Sequence, residues 1–391
     1  MKTLKDFNFK NKRVLVRCDF NVQLNEKGRI AEDFRIKQTI PTIEYLIKKG
    51  AKTILMSHLG KPEGKIVNEL RLNPIAKRLS ELLNRPVKKL DDCVGKEVKK
   101  EVERIQTGEI ILLENIQFNA GENKNDSNFA KILASYADIF IMEAFGQSHR
   151  NYASIAGIPK YLPAAAGFLL EKEIKILSKV MQNPWRPLVV IIGGVKINTK
   201  IGVISQFLKK ADHLLLGGEV ANAILIGKGF SLGRSLLDDE EIARKVKKID
   251  ITNLKIHLPV DGIISLRERQ KDYSREGAIG TIKKEEKIFD IGPETIKIFS
   301  EIIKEAKMIL WSGPLGLSEE KKFEKGTKET AESIVKNKSA FKIIGGGDTI
   351  AAVDKFGLLQ EFDHVSTGGG AMLEFLAGNK LPGLVALRYV G

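Results

Sequence analysis

Phe341-Lys342-Ile343-Ile344-Gly345-Gly346-Gly347-Asp348-Thr349 is an apolar run that ends on three glycines and takes up helical spacing from Ile350. A short apolar run passing through glycines into a helix is how a buried parallel strand hands the chain to its crossover helix. Glycines at such a turn let backbone N–H groups approach an anion at the helix N-terminus. An acid and a hydroxyl beside them, Asp348 and Thr349, suit Mg²⁺ and phosphate. The plain structural alternative is a tight turn with Asp348 as N-cap. Ser366-Thr367-Gly368-Gly369-Gly370 repeats the pattern after the next predicted strand.

Outward from this stretch the same grammar recurs. Leu188 to Ile192, His213 to Leu216 and Met308 to Trp311 are apolar runs leading into glycine-rich or polar segments. In the first half Arg13 to Cys18, Lys52 to Ser57, Ile110 to Glu114 and Asp138 to Met142 do the same. Ile36, Ile40, Ile43 and Ile47 keep three- and four-residue spacing, one face of a helix closed by Gly50. The fold expected is α/β, two doubly wound parallel-sheet (Rossmann-like) domains joined by a hinge helix. A length of 391 residues also favours two cores over one. Asn183-Pro184-Trp185-Arg186-Pro187 is a breaker-rich join. The boundaries expected are 1–170, a hinge helix and linker over 171–187, 188–375, and a C-terminal segment, 376–391, returning to the first domain.

In open parallel sheets ligands bind beyond the carboxyl ends of the strands. There Gly193-Gly194-Val195-Lys196-Ile197-Asn198-Thr199-Lys200 offers a third glycine turn with two lysines four apart, able to grip phosphates or merely to start a solvated helix. In the first half Asp19-Phe20-Asn21, Arg35, Ser57-His58-Leu59-Gly60-Lys61 and Ser148-His149-Arg150 gather cationic and polar groups suited to a small phosphorylated acid. Each histidine alone reads more readily as a structural residue than as a ligand binder. Both the Walker pattern and the dinucleotide fingerprint, which needs a glycine where Ile350 stands, are absent, which demotes a nicotinamide-dependent dehydrogenase.

The formal charge of +15 suits polyanionic partners, but acids are interleaved with the lysines, as in Lys283-Lys284-Glu285-Glu286-Lys287. No basic stripe carries stacking aromatics, so no nucleic-acid partner is expected. Cys18 and Cys93 imply no disulfide framework and a reducing compartment, Cys18 reading as a small core residue. The sequence has no signal-like segment and no run of membrane-spanning length, so the expectation is a cytoplasmic chain without a membrane partner.

The ordered set Asp19-Phe20-Asn21, Ser57-His58-Leu59-Gly60, Leu113-Glu114-Asn115, Ala144-Phe145-Gly146, Gly193-Gly194, Gly313-Pro314, Gly345 to Thr349 and Ser366 to Ala371, with Leu381-Pro382-Gly383 near the end, resembles the phosphoglycerate kinase family over nearly the whole chain. The resemblance implies a Mg²⁺-dependent, reversible transfer of a phosphoryl group between 1,3-bisphosphoglycerate and ADP, a step of glycolysis giving 3-phosphoglycerate and ATP. It implies Asp19, Asn21, Arg35, His58, Lys61, Gln117, His149 and Arg150 as substrate residues, with Arg35 and Lys196 catalytic. On the nucleotide side it implies Gly194, Lys200, Gly217, Gly313, Pro314, Glu319, Gly345, Gly346, Gly347, Asp348, Thr349, Gly368, Gly369 and Gly370, with Asp348 on the metal and Glu319 at the ribose. It also implies a monomer and hinge closure, with flexibility near Glu171 to Trp185. The phosphoryl acceptor is a carboxylate, ionised at neutral pH with a pKa of about 3.5, so the work is positioning and charge neutralisation rather than base catalysis. Where the family usually has arginine this chain has Lys61 and Gln117; Glu143 replaces an aspartate and Ser312 an asparagine. The competing reading is a divergent nucleotide-binding paralogue with weak or no kinase activity and a regulatory or scaffolding role.

Overall fold

The computed structural model describes residues 1–233, 240–247, 249–266 and 273–390, which form two units, Met1–Ile176 with Lys380–Gly391, and Leu177–Asn379. In the first unit the strands are β1 (Arg13–Arg17), β2 (Lys52–Met56), β3 (Lys88–Lys89), β4 (Ile110–Leu112), β5 (Ile139–Met142) and β6 (Ala164–Ala166). They form one parallel sheet in the order β3-β4-β2-β1-β5-β6. The central strands are apolar because helices cover both faces of a parallel sheet. Val14, Val16, Leu55, Leu112 and Ile141 are buried with Ile36, Ile43 and Leu46 of the helix Phe34–Lys48.

That helix ends on Gly50 with φ 74°; Gly50 N–H donates to the Ile47 carbonyl and Ala51 N–H to the Leu46 carbonyl, at 2.9 and 3.0 Å. This paired closure needs a left-handed residue, which glycine adopts without strain. Ile40 and Ile47, placed on its apolar face by spacing, are only partly buried against the core, and Thr39 and Thr42 fill the inner positions instead. At the other end of the chain, Gly383 in Lys380–Gly391 donates its N–H to the Ser148 carbonyl at 2.9 Å.

In the second unit β7 (Leu188–Ile192), β8 (His213–Leu216) and β9 (Ile256–His257) are followed by β10 (Asp261–Leu266), β11 (Ser274–Ala278) and β12 (Glu286–Ile291), then β13 (Met308–Ser312), β14 (Phe341–Gly345) and β15 (His364–Ser366). Six of them make a parallel sheet, β15-β14-β13-β7-β8-β9, and β11-β10-β12 make a separate antiparallel sheet. The small sheet is a departure from the expected all-parallel reading. Its strands mix charged and glycine residues with apolar ones, as in Ser274–Ala278, and so escape a search for continuous apolar runs.

The expected helix Glu171 to Met181 is present as Phe168–Gln182. Each parallel sheet reverses its winding once, between β1 and β5 and between β7 and β13. The crevices beyond the carboxyl ends of those strand pairs are where a doubly wound sheet holds ligands.

Candidate active site

In the first unit the register sets Arg17 opposite Met56 and Met142, so Cys18, Ser57 and Glu143 leave the sheet along one edge. Beyond that edge Ser57 Oγ accepts the Phe20 N–H at 2.9 Å and Asn21 Oδ1 accepts the Gly60 N–H at 2.9 Å, tying the first two loops together. Arg35, in the first turn of Phe34–Lys48, donates to Asp19 Oδ2 at 3.1 Å and to the Asn21 carbonyl at 3.4 Å. Asp19 is buried, and its Oδ1 has no hydrogen-bond partner. A buried carboxylate oxygen without a donor is costly unless a ligand supplies one.

His58 is buried at 3% exposure. Burial first, then the Arg17 charge, pushes its pKa down to about 3; Asp19 raises it, while Arg35 and Arg150 lower it further. Asp19, Arg35, His58 and Arg150 therefore share one electrostatic neighbourhood, but the imidazole is neutral there and not a cation. Arg150 and Lys61 are exposed, and His149 is half-buried. Gln117 is buried in the turn Ile116–Phe118: its N–H donates to Asn115 Oδ1 at 3.1 Å and its carbonyl accepts the Gly64 N–H at 3.0 Å.

One neighbour, Arg17, escapes sequence reading, and Glu143 enters it only as a replacement for an aspartate. Arg17, wholly buried, lies beneath His58, and Glu143 accepts from Thr42 Oγ at 2.5 Å and from Leu169 N–H at 3.1 Å at the start of Phe168–Gln182. Cys18 is buried and free, with its thiol pushed well up by desolvation, so it is the inert core residue expected.

In the second unit Ile192, Leu216, Ser312, Gly345 and Ser366 are aligned across β7, β8, β13, β14 and β15. The glycine turns that follow them therefore stand side by side. Gly193 N–H donates to the Ser312 carbonyl at 3.0 Å and Gly194 N–H to the Pro314 carbonyl at 2.7 Å. A Cβ on Gly193 would overlap the Pro314 carbonyl oxygen, and one on Gly313 would overlap the Gly193 carbonyl, so close backbone approach requires both glycines. Gly217, whose N–H donates to the Ile192 carbonyl at 3.0 Å, packs against the Leu315 side chain.

Lys196 is exposed just before the helix Ile197–Lys210, whereas Lys200 is buried and turned onto Ser312, donating to Oγ at 2.7 Å and to the carbonyl at 3.2 Å. The two lysines do not share an exposed face, because Lys200 follows the buried side of its helix. Desolvation lowers the Lys200 pKa to about 8, with Asp348 pulling it back up.

Thr349 Oγ accepts the Gly313 N–H at 2.7 Å. Asp348 lies inside the first turn of Gly347–Lys355, whose N-cap is Gly346 at φ 96°, so the alternative of Asp348 as N-cap is not what the backbone does. The carboxylate is thus left exposed. Gly368 N–H donates to Ser366 Oγ at 3.1 Å, and Gly369, at φ 49°, precedes Gly370–Leu376.

A cavity of about 550 Å³ opens beside these turns, lined by Gly194, Pro314, Glu319 and Asp348 from the expected set. Its further walls are Asn222 and the strand β12 from Lys287 to Ile291, none of them anticipated. Asp290, raised to about 7 by desolvation, accepts the Gly326 N–H at 2.7 Å and so holds the start of Lys325–Lys336 against this wall. Among the described residues no cluster of three or more metal-ligating side chains occurs. A single exposed carboxylate at a glycine-rich helix start fits a hard cation that arrives on a nucleotide's phosphates, since Mg²⁺ keeps most of its waters and needs one or two protein carboxylates.

The profile of the family described as "Phosphoglycerate kinase" matches residues 4–379. A phosphoglycerate kinase of Dictyoglomus turgidum is 45% identical over 388 residues, 98% of each chain. One of Borrelia garinii subsp. bavariensis is 47% identical over 396 residues, 99% of each. Among solved structures, phosphoglycerate kinase from Coxiella burnetii aligns with a TM-score of 0.85 at 39% identity, covering 99% of this chain and 98% of its own. That from Pyrococcus horikoshii aligns at 0.87 and 34%, with the same coverage. With the profile spanning nearly the whole chain and such identities at full coverage, this chain belongs to the phosphoglycerate kinase family.

Proposed function

We propose that the chain transfers a phosphoryl group reversibly between 1,3-bisphosphoglycerate and ADP, giving 3-phosphoglycerate and ATP. The observation that carries the reading is the pairing of two chemically different strand-end sites. One is a patch of Asp19, Arg35, His58 and Arg150 with an unpartnered buried carboxylate oxygen, and the other a glycine-walled cavity with Lys200 and Asp348 beside it. In this reading Asn21, Lys61, Gln117 and His149 complete the acid site.

Asp19 Oδ1 accepts a hydroxyl of the acid, while Arg35 and Arg150 neutralise its phosphate and carboxylate. The carboxylate nucleophile is ionised at neutral pH, so no residue takes a proton from it. Gly194, Gly217, Gly313, Pro314 and Glu319 seat the nucleoside and ribose. The turns Gly345–Gly347 and Gly368–Gly370 offer N–H groups to its phosphates, and Lys200 and Thr349 grip them. Asp348 would hold the Mg²⁺ that travels with the nucleotide, and that ion, when bound, would supply charge neutralisation to the phosphates. Lys196, exposed and uncommitted, moves with the migrating phosphoryl group and stabilises its equatorial charge.

Acid and nucleotide belong to different units, so transfer requires a closing motion with its hinge near residues 171–187, which also excludes water. A monomer suffices for this chemistry. The test is a coupled assay with ATP, Mg²⁺ and 3-phosphoglycerate on the chain and on Lys196→Ala. A fall in kcat of about 10² to 10³ is expected, and equal rates would remove Lys196 from the reaction. Calorimetry showing nucleotide binding without phosphoglycerate binding would favour the regulatory paralogue instead.

A further inference from the structure

The buried arginine beneath the acid patch takes part in a connected chain of polar groups that the reaction as described does not use. Arg17 is 0% exposed. Its Nε donates to Ser154 Oγ at 2.8 Å, its Nη1 to the Cys18 carbonyl, and its Nη2 lies 3.3 Å from His58 Nδ1. Ser154 in turn donates its hydroxyl to Glu122 Oε1 at 2.5 Å and its N–H to Oε2 at 2.9 Å. Glu122 is fully buried; desolvation raises its pKa and the Arg17 charge pulls it back. The result is a dry arginine–serine–carboxylate line ending on an imidazole.

A guanidinium has donors and no acceptor, and it does not lose its proton in proteins. The His58 nitrogen facing it must therefore offer a lone pair. That places the single ring proton on Nε2, and a second proton on Nδ1 would set two donors against each other in a site that water does not reach.

We infer that Arg17 is a positioning residue for the acid site: it locks His58 as the neutral Nε2–H tautomer, so that the ring serves as a fixed hydrogen-bond donor to the anionic substrate and never as a cation. The inference rests on the reading of this patch as the acid-binding site. The charged groups that act on His58 are Arg17, Asp19, Arg35 and Arg150; the three arginines join burial in opposing protonation, and Asp19 alone favours it. Among the described residues nothing occupies Nε2, so that N–H is available to an incoming oxygen. A neutral donor suits a site already supplied with guanidinium groups. It adds direction to binding without adding charge that would have to leave water.

The direct test is the imidazole nitrogen spectrum of the full-length, ¹⁵N-labelled chain without substrate, with His58 assigned by its loss in His58→Asn. The expected result is an acceptor-type Nδ1 and a protonated Nε2, unchanged from about pH 5.5 to about pH 8, where a free histidine titrates. A proton on Nδ1, or a titration near the ordinary histidine value, overturns the proposal. Adding 3-phosphoglycerate should shift the Nε2–H resonance. A locked tautomer with no such shift overturns the substrate half of the inference and separates it from the tautomer half.

Arg17→Met could leave Glu122 as an unpaired buried charge, so the paired variant Arg17→Met with Glu122→Gln removes both. In it the ring should no longer hold a single tautomer, and the Nδ1 and Nε2 resonances should move toward averaged values. The KM for 3-phosphoglycerate should rise about tenfold, the loss of one oriented hydrogen bond, with the KM for ATP unchanged. An unaltered tautomer and KM in that variant would show that Arg17 only fills space.

Discussion

Gln117 shows what a single residue does to the proposed acid site. It stands where the family usually has arginine, and it is buried and held by its own backbone hydrogen bonds, so the position lies within the turn that closes on Gly64. An amide supplies neither a charge nor a bidentate fork. Gln117→Arg should lower the KM for 3-phosphoglycerate by roughly ten- to a hundredfold, the worth of one charged hydrogen bond, as read from steady-state kinetics with ATP saturating. An unchanged KM would place the side chain outside the pocket.

Lys200 carries a second expectation at this scale. Its pKa of about 8 means that it is charged below that pH and loses its charge as pH rises through it. The KM for nucleotide should therefore climb above about pH 8, while Lys200→Arg, which stays protonated, should flatten the profile. The Lys200 expectation does not follow from residue type alone. Lysine and glutamine are ordinary surface residues until the fold buries one against Ser312 and the other beneath a loop.

At the scale of elements, the start of the helix Phe168–Gln182 is held by a group outside it. Glu143, in the loop after β5, accepts from Thr42 and from the Leu169 N–H, and Gly167 leaves room for its carboxylate, which any Cβ would invade. Burial raises the Glu143 pKa from 4.5 to about 7, against the lowering by Thr42 and the helix N–H groups. Between those values the folded chain keeps a proton that the unfolded chain has lost, so this group's contribution to stability declines as pH rises through that window. Relative to the wild type, Glu143→Gln should gain melting temperature from about pH 5 to about pH 8, on top of a constant offset for the altered acceptor. A pH-independent difference between the two melting curves would show that the carboxyl does not titrate there. The sequence exposed this helix through its length and spacing, but not its anchor, because Thr42 and Glu143 are 101 residues apart and meet only through the sheet.

At the scale of the whole molecule, the proposed reaction joins ligands held by two separately packed units. Either substrate alone occupies one of them, and only both together give closure something to bury. Small-angle scattering should therefore show a smaller radius of gyration with 3-phosphoglycerate and a non-hydrolysable ATP analogue present together than with either alone. Equal values in all states would mean that catalysis needs no closing motion.

The sequence by itself determined the class of fold, since apolar runs such as Leu188 to Ile192, each released into glycine, are a local signal of buried parallel strands. It also determined the family, through motifs that are contiguous along the chain. The tertiary structure alone decided which groups stand together and in what state of charge. Arg17 under His58, Lys200 on Ser312 and β12 as a cavity wall all join residues far apart in sequence. The physical reason is that burial and neighbouring charge set a side chain's protonation and reach, and both are properties of a packed interior that residue order does not contain.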